Sequence, residues 1–343
     1  MQARIIRFPL LLAGLAALLV TGCSKNNPMS ANGSSGASSD PAAVTSTVAA
    51  TTTLVDDGLM ESADQALFNA ADPATASPIP IRPLRYWRRI TSIKRSYEFA
   101  FSDTDTTGRP TKAVVTVHKV LAGTFNVAFD ATPGDTMAFD TLGVVHKPLH
   151  DLWVRKILLN RIHRTRHDGG GDEMGSDADT SKGGRPDDDM DQWKVSAISG
   201  VDVRSFTPPA TAGGTRTFGD TQIMSVRVQS GTVDTTITDP LQFFALRRVH
   251  IFMPGDNVTL TATTASDSDV VVLVRMGMRM RFHNNGDDTY TATWHPSMED
   301  GIHHFGINAL SKGSLFDDKA PYDSDAWIFP YTIRPWAMAD YMP

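Results

Sequence analysis

The sequence predicts a mainly β protein, with an N-terminal signal and flexible tether, an α+β antiparallel-sheet domain and a closing β-sandwich. Three observations carry that expectation. From Tyr86 onward apolar residues alternate with polar ones at a period of two, the mark of half-buried strands. Beyond about residue 240 the alternating runs are short and evenly spaced, with Gly, Asn, Asp and Pro between them, which is the pattern of a sandwich. Ahead of both, residues 1–55 hold one apolar run and then a Ser-, Ala- and Thr-rich stretch with little to bury.

The chain has 343 residues, 41% apolar and 20% charged, with a formal net charge of −6. That composition is globular, and at roughly 150 residues per domain the length allows about two domains. There is a single cysteine, which excludes an intramolecular disulfide and a thiolate zinc cluster.

In the segment MQARIIRFPLLLAGLAALLVTGC, Arg4 and Arg7 precede an apolar run from Leu10 to Val20. A transmembrane helix needs about 20 apolar residues; this run is shorter and has the proportions of a secretory signal. It ends in Val20-Thr21-Gly22-Cys23, an aliphatic residue, two small residues and the lone cysteine. The arrangement resembles the lipobox of bacterial lipoprotein precursors. The resemblance implies a signal peptide over residues 1–22, diacylation of the Cys23 thiol, and attachment to a membrane through the lipid. Ser24 stands where that family places aspartate for inner-membrane retention, which implies the outer membrane, on its periplasmic or cell-surface face. One acyl chain binds marginally, but at roughly 0.8 kcal/mol per buried methylene two or three hold permanently.

Without residues 1–22 the chain has 30 basic and 38 acidic side chains, a formal −8. Such a mildly acidic body is not built to hold nucleic acid by bulk charge. Residues 23–55 then read as a lipid-anchored flexible linker, spanning about 30 Å at 5–6 Å times the square root of its length. Leu59, Met60, Ala63, Leu67 and Ala71 recur at three- and four-residue spacing and predict a short helix over 56–71, ended by Asp72-Pro73.

Residues 56–239 form the expected α+β domain. Tyr97, Phe99 and Phe101 alternate, a turn follows at Asp103–Pro110, and further strand runs lie at 112–120 and 125–129. The stretch 152–164 fits helix or strand. Residues 193–206 read as a strand with a bulge at Gly200, and 222–229 as another strand. An early helix against a curved antiparallel sheet, with a late pair of strands reading "arginine-rich strand, loop, Trp-Lys-Val", bears a likeness to cystatin-like and nuclear-transport-factor-two-like folds. Within this domain the insert 167–192 is Gly-rich and acidic; residues 168–191 carry nine acids and two bases, and composition predicts disorder.

Residues 240–343 form the expected sandwich, with strands at 243–253, 257–264, 269–283, 289–295, 302–311 and 327–333. Asn284–Asp288 is a hairpin turn of residues that tolerate positive φ. The phrase Pro254-Gly255-Asp256-Asn257-Val258-Thr259-Leu260, and Asp288-Thr289-Tyr290-Thr291-Ala292-Thr293-Trp294, are similar to the strand motifs of bacterial immunoglobulin-like domains.

Motifs for zinc proteases, serine nucleophile elbows, phosphate loops and dinucleotide turns do not occur. Asp103 and Asp105, in Asp-Thr-Asp-Thr-Thr-Gly, resemble the opening of a calcium loop, but Val114 stands where its bidentate glutamate belongs, and a hairpin turn fits better. Two basic runs, Arg82 to Arg95 and Arg155 to Arg166, suit an anionic glycan or lipid headgroup; a solvated sheet face explains them more simply. His303 and His304 take opposite faces of a strand, so they do not share a metal from there. The sequence therefore reads as a lipid-anchored, non-enzymatic envelope or surface protein without a cofactor, binding an envelope glycan, lipid or protein. The alternatives are an envelope-polymer hydrolase using paired carboxylates, and an adhesion module stabilised by calcium at the acidic insert.

Overall fold

The computed structural model describes residues 39–51, 58–61, 66–67, 81–130, 142–162, 192–211, 213–231, 233–246, 249–275, 278–296, 299 and 301–333. Among them the protein is mainly β, as the sequence predicts. Helix α1 (Ser39–Ala50) comes first, followed by β1 (Ala66–Leu67), β2 (Pro83–Thr104), β3 (Pro110–Asp130), β4 (Leu142–Ile162) and β5 (Gln192–Thr207). Short strands β6 (Thr217–Phe218), β7 (Ile223–Ser230), β8 (Val233–Ile237), β9 (Phe243–Ala245) and β10 (His250–Phe252) lead to β11 (Val258–Thr264), β12 (Val270–Arg275), β13 (Met278–Arg281), β14 (His283–Asn284) and β15 (Thr289–Trp294). The chain then forms β16 (Gly301–Leu310), the one-turn helix α2 (Lys312–Phe316) and β17 (Ser324–Ile333).

α1 lies inside the stretch expected to be a flexible linker, and this corrects that expectation for residues 39–50. Its start is written as Ser39-Asp40-Pro41, with an acid and a proline in the first turn where both suit a helix. Val44 and Val48, one turn apart, are buried in the main core. The hydroxyls of Thr45 and Thr47 donate to the carbonyls of Pro41 and Ala43, so their polar groups are satisfied within the helix. The helix expected over 56–71 does not form where the structure describes that segment. Residues 58–61 make a turn, and Ala66 and Leu67 pair with Tyr86 and Arg85 as an antiparallel strand. The rest of 56–71 lies outside the described residues.

β2 to β5 are antiparallel neighbours in sequence order, joined as a meander. β2 alone has 22 residues, about 70 Å of strand. The two runs expected at 112–120 and 125–129 are one strand, β3. Where a turn residue suggests a break, at Gly123, β2 instead shifts register between Ile90 and Ser92. A Cβ on Gly123 would overlap the Arg89 carbonyl, so glycine there permits the close approach. The ambiguous 152–164 stretch is the second half of β4, and it pairs with β5 as the expected late strand pair.

The large sheet runs β1-β2-β3-β4-β5-β17-β16-β12-β13, and its two ends, β1 and β13, touch. It thus curls round one core, filled by Val115, Val117, Leu121, Phe125, Trp153, Ile157, Val272 and Ile328 among others. Its other face, over β12, β16 and β17, is covered by a second sheet ordered β14-β15-β11-β7-β8. Between the two lies a second core of Phe305, Ile307, Trp327, Phe329 and Tyr331 against Val226, Leu260, Tyr290 and Trp294. Strands β14-β15-β11-β7-β8 facing β17-β16-β12-β13 form a two-layer antiparallel β-sandwich, with β10 running parallel to β17.

Two details differ from the expectation. The run 269–283 is not one strand; β12 and β13 are antiparallel partners, with Val272 opposite Arg281 and Arg275 opposite Met278. The domain boundary expected at residue 240 falls inside the sandwich, because β7 and β8 already belong to its second sheet.

The bulge expected at Gly200 is present. Arg155 pairs with Val201 and Ile157 with Ile198, which leaves one extra residue on β5. There β5 exchanges β9 for β17 as its second neighbour. A Cβ on Gly200 would stand 2.6 Å from the Pro240 carbonyl and 2.8 Å from that of Ile328. Gly200→Ala is therefore expected to destabilise the fold by about 1–3 kcal/mol, read as a lower urea midpoint at unchanged m-value; an unchanged midpoint would show that the backbone can retreat.

Candidate functional site

Several residues singled out in the sequence have roles in the fold. Asp105 Oδ1 accepts from the Thr107 amide at 2.8 Å, the Thr107 hydroxyl at 2.7 Å and the Arg109 amide at 2.9 Å. The Thr107 hydroxyl and these amides hold its carboxyl below the usual range. Asp103 has φ +49° and pairs with Lys112. Both acids thus shape the β2–β3 hairpin. Cys23, Arg164, Arg166 and the acidic insert 167–192, apart from Gln192, lie outside the described residues. His303 stacks on Tyr331 while His304 is buried on the opposite face of β16, as their adjacency on a strand requires. Among the described residues no group of three His, Cys, Asp or Glu is placed to hold a metal ion.

The basic runs divide by strand parity, which corrects the solvated-face reading for three arginines. On β4 the inward residues are Lys147, Leu149, Asp151, Trp153, Arg155, Ile157 and Leu159, all buried. Arg88 on β2 and Arg155 on β4 are each 1% exposed. Arg88 donates to Asp151 Oδ2 at 3.0 Å and to the Tyr322 hydroxyl, which in turn shares a hydrogen bond with Ser324. Burial alone would lower the Arg88 pKa, but Tyr322 and Asp151 hold it up, so the guanidinium stays charged. Lys119 bonds Glu61 at 2.6 Å and lies 4.5 Å from the Trp153 ring centre, and Arg161 pairs with Asp40 of α1. These charges fasten the N-terminal segments to the inside of the curled sheet.

On the outer face of the meander, a groove of about 700 Å³ crosses β2 to β5. Lys94, His150 and Phe206 form its floor, and β6 with the segment leading into it supplies Phe218 and Arg216 as its wall. Phe206 pairs with Phe218 across the β5–β6 ladder, their rings 6.4 Å apart. The Arg216 guanidinium lies 5.0 Å from the Phe206 ring, and that of Arg204 4.9 Å from Phe218. Stacking fixes the planar guanidinium and leaves its edge N–H groups for a ligand oxygen. No described residue lining the groove is acidic.

Arg204 also lines a second, smaller pocket of about 260 Å³ at the open edge of the sandwich. Asp202 and Asp325 lie in it, with Gln222, Thr238 and Trp327. Arg204 stands opposite Asp325, and Asp202 opposite Trp327, so the two acids are diagonal neighbours on one face of the β5–β17 pair. Diagonal neighbours have Cα atoms about 7–8 Å apart. Asp202 belongs to the first expected domain and Asp325 to the second. Asp325 is 2% exposed; its Oδ2 accepts from the Ile223 amide at 2.7 Å, and its Oδ1 has no hydrogen-bond partner among the described residues. Burial, with Asp202 and Asp323 nearby, pushes the Asp325 carboxyl up to about 8 against the pull of Ile223 and Arg204. Burial likewise takes Asp202 to about 6, with Arg204 opposing and Asp239 adding.

Neither cavity was legible from motifs. The signal for the groove is the alternation Arg204-Ser205-Phe206 followed by Pro208-Pro209, which sets a cation and an aromatic on one strand face under a folded-back segment. No family model, curated protein or solved structure matches this chain.

The raised Asp325 pKa has a signed consequence. The folded state binds a proton the unfolded state has released, so the stability Asp325 contributes is full below about pH 4 and is lost as pH rises through about 8. Asp325→Asn keeps an acceptor for Ile223 and cannot ionise. The variant is expected to match the parent in Tm near pH 4 and to exceed it increasingly from pH 6 to 9; parallel Tm profiles would refute the assignment.

Proposed function

We propose that the protein is a lipid-anchored bacterial envelope protein whose folded body binds an anionic envelope glycan in the groove across β2 to β5. The groove carries this reading. It is long enough to cross four strands, lined by Lys94, His150 and Arg216, and backed by two aromatic rings. A chain bearing carboxylates or phosphates would find fixed cationic donors there although the body as a whole is acidic.

The lipobox ending in Cys23 supports the anchor and the outer-membrane location. Residues 24–38 separate that cysteine from α1; fully extended they reach about 50 Å, enough to stand the body off a lipid surface. The sandwich, with its two motifs similar to bacterial immunoglobulin-like domains, serves in this reading as the stiff support of the binding face. Hydrolysis is the weaker alternative, because Asp325, the more basic carboxyl of the pair, is almost wholly enclosed.

The mature protein is expected to bind a polyuronate such as alginate, and not the neutral polymer dextran, with affinity that falls as salt rises. Replacing Lys94 and Arg216 together by alanine should weaken it about tenfold, at roughly 0.7 kcal/mol for each partly exposed charge. Equal binding of both polymers, or no loss in the double variant, would refute the groove reading. Separately, expression in a bacterium fed labelled palmitate should label the protein and place it in the membrane fraction, and Cys23→Ser should abolish both; label that survives the substitution would sink the anchor.

A further inference from the structure

We propose that the pocket between β5, β7 and β17 is a binding site for a single neutral sugar ring, with Asp202 and Arg204 as the hydrogen-bonding pair and Met224 with the edge of Trp327 as the apolar wall. The proposal adds a site for a neutral sugar to the basic groove and rests on that reading only in taking both as contacts of one polymer.

Four observations carry it. The pocket, of about 260 Å³, is compact and is lined more by polar than by apolar groups. Its polar side chains mix acceptors and donors: Asp202 and Asp325 carboxyls, the Arg204 guanidinium, the Gln222 amide and the Thr238 hydroxyl. A ring hydroxyl both donates and accepts, and this is the ligand chemistry such a mixture satisfies. A buried polar atom is ordinarily paired; Asp325 Oδ1 is one of several buried polar atoms with no hydrogen-bond partner among the described residues, and its residue lines this pocket. The exposed side chain of Met224, with the edge of the largely buried Trp327 ring, supplies apolar surface beside them for the C–H groups of a pyranose.

The charge balance favours a neutral ligand over an ionic one. Near pH 7 Asp325 is mostly protonated and Asp202 mostly ionised, and Arg204 offsets the latter. A bare anion would meet Asp202 and a bare cation would meet Arg204; a polyol meets neither penalty. Position adds a link to the groove. Arg204 lines this pocket while its guanidinium lies over Phe218, which lines the groove, so one side-chain contact joins the two cavities.

The test uses the mature protein with free N-acetylglucosamine, glucose and galactose as probes, read by saturation-transfer NMR and by perturbation of the tryptophan indole signals. At least one sugar should bind in the millimolar range. Asp202→Asn should weaken it about tenfold, the loss of one charge-assisted hydrogen bond, while the Lys94→Ala, Arg216→Ala double variant binds it like the parent. Should Asp202→Asn fail to fold by circular dichroism, Gln222→Ala on the pocket rim takes its place with the same expectation. No transfer from any of the three sugars, or undiminished binding in the folded pocket variant, overturns the proposal. Sugar binding that survives while alginate binding is absent overturns the groove reading alone.

Discussion

The structure depends on one strand that has no solvent face. β17 is buried at nearly every position from Ser324 to Ile333. Its alternate residues serve two cores: Ala326 and Ile328 point into the curled sheet, while Trp327, Phe329 and Tyr331 point into the sandwich. Its edges are used as fully, by β5 on one side and β16 on the other. A shift of one residue in its pairing would exchange the two sets and place aromatic rings where small residues belong. The two expected domains are for this reason continuous through a single sheet.

That continuity explains why charged side chains are found inside. A sheet curled until its ends meet must turn one face of every strand inward, whatever that face carries. On β2 and β4 the inward positions include Arg88, Asp151 and Arg155. Burying such groups is costly unless each finds a partner, and a buried ion pair adds little net stability over an apolar filling. What the arrangement supplies is specificity: Arg88 meets Asp151 on β4, Tyr322 just ahead of β17 and Ser324 at its start only when all three segments are in register. In the same way Glu61 and Asp40 reach Lys119 and Arg161 only when the N-terminal segments are seated.

The outer face of β5 links the two candidate cavities. Asp202, Arg204 and Phe206 alternate along it, so an acid, a cation and an aromatic ring stand in a row outside the curled core. Phe206 lies under the β6 segment in the groove, Asp202 lies at the sandwich edge, and Arg204 stands between. The bulge at Gly200 is where β5 leaves β9 for β17, and it precedes this row directly. Asp325 on β17 completes the pocket, and its carboxyl also receives the first amide of β7. The carboxylate that shapes the pocket therefore also joins the two sheets.

Local periodicity and turn chemistry made part of this molecule readable from its amino acids alone. The alternation of Tyr290, Ala292 and Trp294, the Asn284–Asp288 turn, the opposed faces of His303 and His304 and the bulge at Gly200 were all legible, because each depends on neighbours within a few residues. Helix α1 was legible in principle from Ser39-Asp40-Pro41 and the Val44–Val48 spacing, but two valines among Ala, Ser and Thr give a weak signal until a core exists to receive them. The inward facing of Arg88, Arg155 and Arg161 emerged only from the folded chain, since period two says that alternate residues share a face but not which face is wet. The placement of Asp202 beside Asp325, more than a hundred residues apart in sequence, came from the same source, because strand neighbours across a closed sheet are chosen by long-range pairing that no local pattern encodes.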